Sequence, residues 1–362
     1  MDDAKLHLSD RPEMADKAVA IWLAVIAGMV AAMVIIGGIT RVTGSGLSMV
    51  EWRPVLGWFP PLSAEEWQRV FKLYQTSPEY KHINTWMDLS AFKRIFWWEY
   101  IHRLWGRLIG VVFFFPFVVF VATHKIKRRM LLRVCLLFFL GGLQGALGWW
   151  MVKSGLSSDP SVSQYRLATH LGVAFLILGL LIWTILDLVG KRHMPGPKIM
   201  FYHANIVTIF IFVTVIGGAL VAGLKAGLIY NTFPLMDGRI TPPDYFSLQP
   251  FWRNIFENVG AVQFNHRVLA IITLLTVVSL CVCSRFLSHN GLFLKTIYVM
   301  GTLAGLQFVL GVLTLIHFVP GLLAVAHQFI GLCLFGTSVI ISWSLSAKPN
   351  GYLKERGNAE FE

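Results

Sequence analysis

Four of the eleven histidines stand at the start of long apolar runs, where an ionisable side chain is costly and usually functional. They are His102, His170, His266 and His327. Neutral imidazoles that oppose each other across an apolar helical bundle suit a haem iron, which takes axial nitrogen ligands. A mononuclear zinc or copper site would want a third or fourth ligand, which neither pair obviously offers. The sequence therefore predicts two bis-histidine haem sites, one from the first two histidines and one from the last two.

The other seven histidines and the four cysteines are given no chemistry. The cysteines have no zinc-site spacing and no pair in a loop, so they are interpreted as small apolar residues. The remaining histidines fall in loops, in a tail or at span ends, where solvation or the membrane interface explains them: His7, His82, His124, His193, His203, His289 and His317.

One carboxylate distinguishes the two predicted sites. Glu99 precedes His102 by three residues, which places both side chains on one helical face. Gln263 takes the matching position before His266. A carboxylate in a low-dielectric site can accept protons or stabilise developing positive charge, although a merely interfacial glutamate paired with Arg103 fits the same spacing. We predict that Glu99 is catalytic.

Arginines and glycines surround the predicted sites. Arg103, Arg107, Arg166 and Arg267 lie close to the histidines in sequence, and their guanidinium groups either bind haem propionates or extend to the membrane interface. The glycines allow close helix contact or leave room for a porphyrin. They are Gly106, Gly110, Gly141, Gly142, Gly145, Gly148 and Gly172 in the first half, and Gly301, Gly305, Gly311 and Gly331 in the second.

The elements that must position these residues are eight predicted membrane helices in an all-α fold. A bilayer core of about 30 Å needs about 20 apolar residues in a helix. Runs of that length cover about 19–39, 100–122, 131–152, 168–189, 202–223, 264–284, 293–316 and 321–345. The composition agrees, because 56% of the 362 residues are hydrophobic and 14% are charged, which excludes a disordered chain and disfavours a soluble enzyme.

The orientation follows from lysine and arginine, which are concentrated in the loops at about 123–130, 190–201 and 285–295 and in the C-terminal tail. By the positive-inside rule, both termini are cytoplasmic and the four histidines lie near the periplasmic face. The same loops account for the net charge of +12, so no nucleic-acid partner is predicted. The first run is too long, and follows too many acidic residues, for a cleaved signal or a transit peptide.

The chain also contains a tandem repeat of four spans. Ile36-Gly37-Gly38 recurs as Ile216-Gly217-Gly218, His102-Arg103 as His266-Arg267, and Gly142-Leu143-Gln144 as Gly305-Leu306-Gln307. Four spans return the chain to its starting side, so the units should be related by a pseudo-two-fold axis along the membrane normal. We expect two four-helix bundles, at 19–190 and 191–345, between cytoplasmic tails at 1–18 and 346–362.

Longer motifs resemble the haem A synthase family, over about residues 20–345. They are the runs GGITRVTGSGLSM at 37–49, EWRP at 51–54, PPLS at 60–63, EYIHR at 99–103 and NTFPLMDG at 231–238. Some bacterial members carry a cysteine pair in an outer loop, which this chain lacks. It therefore resembles the class found in alphaproteobacteria and mitochondria, and without a transit peptide a bacterial inner membrane is expected.

This resemblance implies an oxidoreductase that converts the C8 methyl group of haem O to the formyl group of haem A by two successive hydroxylations. It implies that His266 and His327 bind a haem b cofactor, that His102 and His170 hold the haem O substrate, and that Glu99 is the family's acid. The implied partners are haem O synthase, a ferredoxin-like or quinol electron donor, cytochrome oxidase under assembly, the lipid bilayer and a second copy of the chain.

A non-enzymatic dihaem b-type electron carrier is the alternative. Its haems would usually be stacked across the membrane, whereas all four histidines here are expected on one side. A transporter is the third interpretation, but the chain lacks inverted repeats and has no deep acidic residue beyond Glu99 and Asp187.

Overall fold

The computed structural model describes residues 14–53, 57–157, 160–190, 197–287 and 291–346, and within these ranges the regular elements are helices with one isolated β-bridge. The helices are α1 (Met14–Val42), α2 (Ala64–Gln75), α3 (Pro78–His82), α4 (Leu89–Ala122), α5 (Arg128–Gly155), α6 (Gln164–Val189), α7 (Lys198–Gly223), α8 (Val259–Leu287), α9 (Gly291–Ile316) and α10 (Gly321–Leu345). Short 3-10 helices occupy Ala226–Leu228 and Phe251–Ile255.

All eight predicted spans are confirmed as helices long and apolar enough to cross a membrane, namely every helix except α2 and α3. The largest difference is at α4, which begins at Leu89 rather than near residue 100. Two contacts extend it: the Asp88 side chain accepts a hydrogen bond from Ala91 N at 2.7 Å, as a helix N-cap does, and Phe92 and Phe96 pack in a buried cluster with α2. The apolar run alone could not predict an extension made by such contacts.

Each half of the chain forms a closed ring of contacting helices. In the first half α1 and α5 each contact both α4 and α6, and in the second half α7 and α9 each contact both α8 and α10. Between the halves, α6 contacts α7 and α10, and α1 contacts α10. Exchanging every helix for its repeat partner reproduces the same set of contacts, as a two-fold relation requires. The direction of the axis relative to the membrane stays a prediction.

The hydrophobic core runs through the interface between the two rings. Phe175 of α6 meets Phe335 of α10 edge-on, with ring centroids 5.3 Å apart. Polar side chains also cross the interface: for example, Arg41 Nη2 donates to Ala222 O at 2.6 Å, and Gln328 Nε2 donates to Val34 O at 2.8 Å. The halves are therefore joined by packing and by side-chain hydrogen bonds.

The predicted cytoplasmic tails lie mostly outside the described residues, which exclude 1–13 and 347–362. Residues 14–18, assigned to the N-terminal tail, belong to α1. The boundary between the halves at 190 and 191 adjoins residues 191–196, also outside the description. These domain limits therefore remain predictions.

Candidate functional site

The first connecting segment, described at residues 43–53 and 57–88 between α1 and α4, packs back onto the start of α4. Trp67, Phe71 and Tyr74 of α2 form a buried cluster with Phe92 and Phe96 of α4. The pattern in α2 explains this, because its apolar residues recur at helical spacing while its other face is charged. The segment therefore covers the end of α4 at which Glu99 and His102 lie.

The Glu99 carboxylate is buried, with 3% of the residue exposed, and all of its hydrogen bonds are to donors. Oε2 accepts from Ser48 Oγ at 2.7 Å and from Met49 N at 2.8 Å. Oε1 accepts from Arg103 Nε at 3.0 Å and from Arg103 Nη2. The predicted catalytic acid is thus an ion-paired carboxylate that also binds the first connecting segment. Its role stays a prediction.

The second half has the same arrangement around Gln263, except that one side-chain group donates hydrogen bonds where Glu99 accepts them. Arg267 donates to Gln263 Oε1 at 2.9 Å and to Tyr230 O at 2.6 Å, and Gln263 Nε2 donates to Ala226 O at 2.8 Å and to Ile229 O. Gln263 therefore faces backbone carbonyls where Glu99 faces a hydroxyl and an amide N–H. A carboxylate cannot donate, so the loop partners are one physical reason for the exchange.

Each of the four histidine rings lies against a glycine on a neighbouring helix. A Cβ added at the glycine would lie 3.1 Å from His102 at Gly37, 3.3 Å from His266 at Gly217, 3.4 Å from His170 at Gly148 and 2.9 Å from His327 at Gly311. The first two pairs match each other in the repeat, and so do the last two. Side chains at these glycines would press on the rings, so the glycines position the histidines.

The buried histidine nitrogens can serve as ligands for a haem iron. The Nδ1 atom of every one of the four rings is buried without a hydrogen-bond partner, whereas buried polar groups are normally paired. His102 and His170 lie on helices of the first ring, and His266 and His327 lie on helices of the second ring; their pairing stays a prediction. Among the described residues no three His, Cys, Asp or Glu side chains form a metal-holding group. Two imidazoles for each haem iron fit this donor set; the ligand assignments stay predictions.

Two glutamines beside the histidines carry no sequence-based assignment. Gln144 Nε2 donates to the backbone O of His170 at 3.0 Å, and Gln307 Nε2 lies 3.4 Å from Nε2 of His327. The Oε1 atoms of both glutamines are buried without a partner. Both glutamines belong to the repeated Gly-Leu-Gln motif, which indicates the repeat but does not predict that they lie beside the histidines.

The four arginines predicted to bind propionates already donate to backbone carbonyls. Arg103 binds Met49 O and Glu51 O, Arg107 binds Arg53 O at 2.9 Å, and Arg166 binds Trp150 O at 2.6 Å. Arg267 binds Tyr230 O, as described above. Arg103, Arg107 and Arg267 therefore each hold a connecting segment, whereas Arg166 binds the C-terminal part of α5. Propionate binding by any of them remains a prediction.

Two cavities lie at the covered end of the first half. One of about 340 Å³ is lined in part by Glu51, Arg103 and Arg107, and one of about 300 Å³ is lined in part by Arg103 and Trp149. Glu51 pairs with Arg53 at 2.9 Å and with Arg69 at 3.1 Å. Burial acts to raise the pKa of Glu51, but the two guanidinium groups outweigh it and lower that pKa. Both cavities are lined by apolar side chains together with charged ones.

The chain matches one family model and several named proteins in sequence. The family model described as cytochrome oxidase assembly protein (COX15-CtaA) matches residues 20–339. A protein of Rhodospirillum centenum named heme A synthase is 50% identical over 273 residues, which cover 75% of this chain and 73% of that protein. Proteins of the same name from Parvibaculum lavamentivorans and Nitrosospira multiformis are 48% identical over 274 residues and 47% identical over 266 residues. These matches cover 76% and 72% of this chain and 80% and 75% of the respective relatives.

Proposed function

This chain belongs to the cytochrome oxidase assembly protein family, and we propose that its two halves divide the work of haem A synthesis between a substrate site and a cofactor site. Its function is that of a haem A synthase, a membrane enzyme of haem A biosynthesis, as the sequence predicted. Identity of about half of all aligned positions with relatives of that name supports this function. The non-enzymatic electron carrier is not favoured.

The proposed reaction is oxidation of a C–H group on haem O. The C8 methyl group is hydroxylated to an alcohol and hydroxylated again to a hydrated aldehyde, which loses water to leave the formyl group of haem A. Each hydroxylation is a two-electron oxidation of the carbon atom; with O2 as the oxidant, one oxygen atom enters the C–H bond and the other leaves as water, which takes two electrons from the electron donor and two protons. The enzyme's task is therefore to hold the porphyrin edge in one place through two successive oxidations.

The first half is the proposed substrate site, in which His102 and His170 hold the iron of haem O. The observation that carries this proposal is the buried, unpartnered Nδ1 atom on each of the four repeated rings. Gly37 and Gly148 support it, because each leaves its histidine the space that a side chain would fill. Arg103, Arg107 and Arg166 are the proposed propionate contacts of this half.

Glu99 is the proposed catalytic carboxylate of the first half. Its place three residues before His102 puts it on the histidine's side of α4, and Ser48 Oγ and Met49 N orient its Oε2 atom. A fixed carboxylate here can stabilise positive charge that develops on the substrate or take up the proton released from the carbon. Gln263, its neutral counterpart, can do neither, which agrees with a division of roles between the halves.

The second half is the proposed cofactor site, in which His266 and His327 bind haem b, with Arg267 as the proposed propionate contact. A haem with two histidine ligands has no open coordination position, so it would pass electrons rather than activate oxygen. Gln307, beside His327 Nε2, is placed to keep the orientation of that ring. The electron donor proposed for this half is a ferredoxin-like protein or a quinol.

The protein crosses a membrane several times, and we place it in a bacterial inner membrane with both termini cytoplasmic and both sites near the periplasmic face. The proposed neighbours are haem O synthase, which would supply the substrate, and cytochrome oxidase under assembly, which would receive the product. A second copy of the chain is a further proposed partner.

Coexpression with a source of haem O tests the proposed function. Haem is extracted from the purified protein and from membranes and separated by chromatography. We expect haem A in extracts from cells that carry the protein and none without it. Recovery of protohaem alone would support the electron carrier and overturn the proposal.

A further inference from the structure

The two halves differ in the space beside their histidines, at positions that correspond in the repeat. In the first half, an added Cβ would meet nothing within 4 Å at Gly110, Gly141 and Gly145. Counting from His102 and His266, Gly110 matches Leu274. Counting from Gly148 and Gly311, Gly141 matches Ala304 and Gly145 matches Phe308.

The second half fills the corresponding space with side chains. Ala304 is buried, with 4% exposed, and Leu274 packs against the buried core. Phe308 makes a ring contact with Phe233, with centroids 5.9 Å apart. The glycines of the first half therefore remove volume that the second half occupies, next to an otherwise equivalent pair of histidines.

The open positions lie on two helices that contact each other. Gly110 follows His102 by eight residues on α4, which is about 12 Å along a helix. Gly145 and Gly141 precede Gly148, the glycine beside His170, by three and seven residues on α5, so they share its side of the helix. We call the space beside Gly110, Gly141 and Gly145 the α4–α5 trough. Its two α5 positions lie on the side of that helix that faces His170.

Aromatic side chains close the far end of the trough. Phe113 and Phe114 of α4 contact Phe138 of α5, with ring centroids 5.6 and 6.0 Å away. Phe138 lies three residues before Gly141, and its match in the second half is Gly301. The first half is therefore open at the glycines beside the histidines and has aromatic contacts beyond them, while the second half is filled beside the histidines and has a glycine at 301, where a Cβ would lie 3.0 Å from Cys281 Sγ.

We propose that the α4–α5 trough holds the long isoprenoid side chain of the haem substrate and thereby selects haem O over haem b in the first half. This rests on the proposed function, in which His102 and His170 hold that substrate. Haem O carries a hydroxyethylfarnesyl group where haem b has a vinyl group, so only the substrate needs a long apolar channel beside the porphyrin. The trough glycines are exposed, so the chain's end can extend from the trough into the lipid.

The test replaces two trough glycines with the residues that occupy the matching positions of the second half, in the variants Gly110→Leu and Gly145→Phe. Each full-length variant is coexpressed with a haem O source. We expect each variant to keep its protohaem content and low-spin spectrum but to contain and produce at least tenfold less haem O and haem A. Gly28→Leu is the matched control, because Gly28 of α1 is also exposed with nothing within 4 Å of an added Cβ. It should behave like the unsubstituted protein.

A haem that bears a hydroxyethyl group without the isoprenoid chain separates steric selection from general damage. We expect Gly145→Phe to bind and oxidise this short haem within threefold of the unsubstituted protein. An equal loss of turnover with the short haem and with haem O would overturn the trough proposal. Unchanged turnover of haem O in both variants would overturn it as well. If a variant is recovered without protohaem, Gly110→Ala and Gly145→Ala replace it, with a smaller loss expected for haem O alone.

The same experiment distinguishes failure of the trough from failure of the proposed function. If the unsubstituted protein makes no haem A beside a haem O source, the function fails. The trough proposal is then tested by titration of the purified protein with haem O and with haem b. Preferential binding of haem O that is lost in Gly145→Phe would support the proposal, and equal binding of both haems would overturn it.

Discussion

The Arg103 guanidinium and the Glu99 carboxylate form a buried ion pair one helical turn apart on α4, with Nε of Arg103 3.0 Å from Oε1 of Glu99. The other carboxylate oxygen binds Ser48 and Met49 of the first connecting segment. Glu99 is therefore both the acid proposed for catalysis and a support for the segment that covers His102. A useful substitution must separate these two roles.

Glu99→Gln should reduce haem A formation by about 100-fold or more, the scale of a lost acid–base group, while the protohaem of the second half is retained. The amide keeps the size of the side chain but loses the negative charge. Haem extraction measures the product, and the low-spin spectrum reports on the fold.

Ser48→Ala is the matched control for the supporting role. It removes one hydrogen bond to Glu99 and keeps the charge, so we expect a stability loss of about 1 kcal/mol and near-normal haem A formation. A normal yield from Glu99→Gln would remove Glu99 from the mechanism. An equal loss in both variants would assign Glu99 to support of the segment alone.

The two histidine pairs should fail in different ways. His266→Ala should abolish the low-spin haem spectrum of the purified protein, because the iron would lose one of its two imidazoles. His102→Ala should leave that spectrum in place and abolish haem A formation. An unchanged spectrum in His266→Ala would place the cofactor elsewhere, and loss of the spectrum in His102→Ala instead would exchange the roles of the halves.

Arg41→Met should weaken the packing of the two halves against each other. Arg41 of α1 donates to Ala222 O at 2.6 Å and to Gly223 O at 3.3 Å, both in the last turn of α7, where the intrahelical N–H donors run out. Hydrogen bonds from a charged group contribute about 1.5–3 kcal/mol, so the midpoint of thermal unfolding in detergent should fall. Arg94→Met, at an exposed position of α4, is the control; equal midpoints would show that the contact is not stabilising.

The first connecting segment should lose stability as the pH rises. Glu79 is buried and accepts a hydrogen bond from Tyr74 Oη at 3.1 Å, and burial raises its pKa from the ordinary 4.5 to about 7. The folded state therefore holds a proton that the unfolded state releases, so stability is full below about pH 4.5 and falls until about pH 7. The loss is roughly 3 kcal/mol at most.

Hydrogen exchange of α2 amides, corrected for the intrinsic effect of pH, measures this dependence. Glu79→Gln should abolish the change in protection between pH 5 and pH 8, because an amide does not titrate in that range. Protection that rises with pH, or the same decline in the variant, would contradict the assigned cause.

Local patterns were enough to predict part of the site. His102, His170, His266 and His327 were found because each begins an apolar run and each recurs in the repeat, and the pairing within each half followed from four spans per bundle. The role of Gln307 beside His327 was not found, because a glutamine within a membrane helix has no pattern that names its neighbour.

By itself the sequence determined the eight spans, the duplication and the histidine positions, since span length and spacing are properties of neighbouring residues. Only the tertiary structure decided that Glu99 binds Ser48, 51 residues away, and that α4 extends back to Leu89 along α2. It also decided that the space beside Gly145 is open, whereas Phe308 fills the corresponding space in the second half. These depend on which helices meet and on how much space they leave. No local periodicity encodes them, because contacts between distant elements arise only when the whole chain packs.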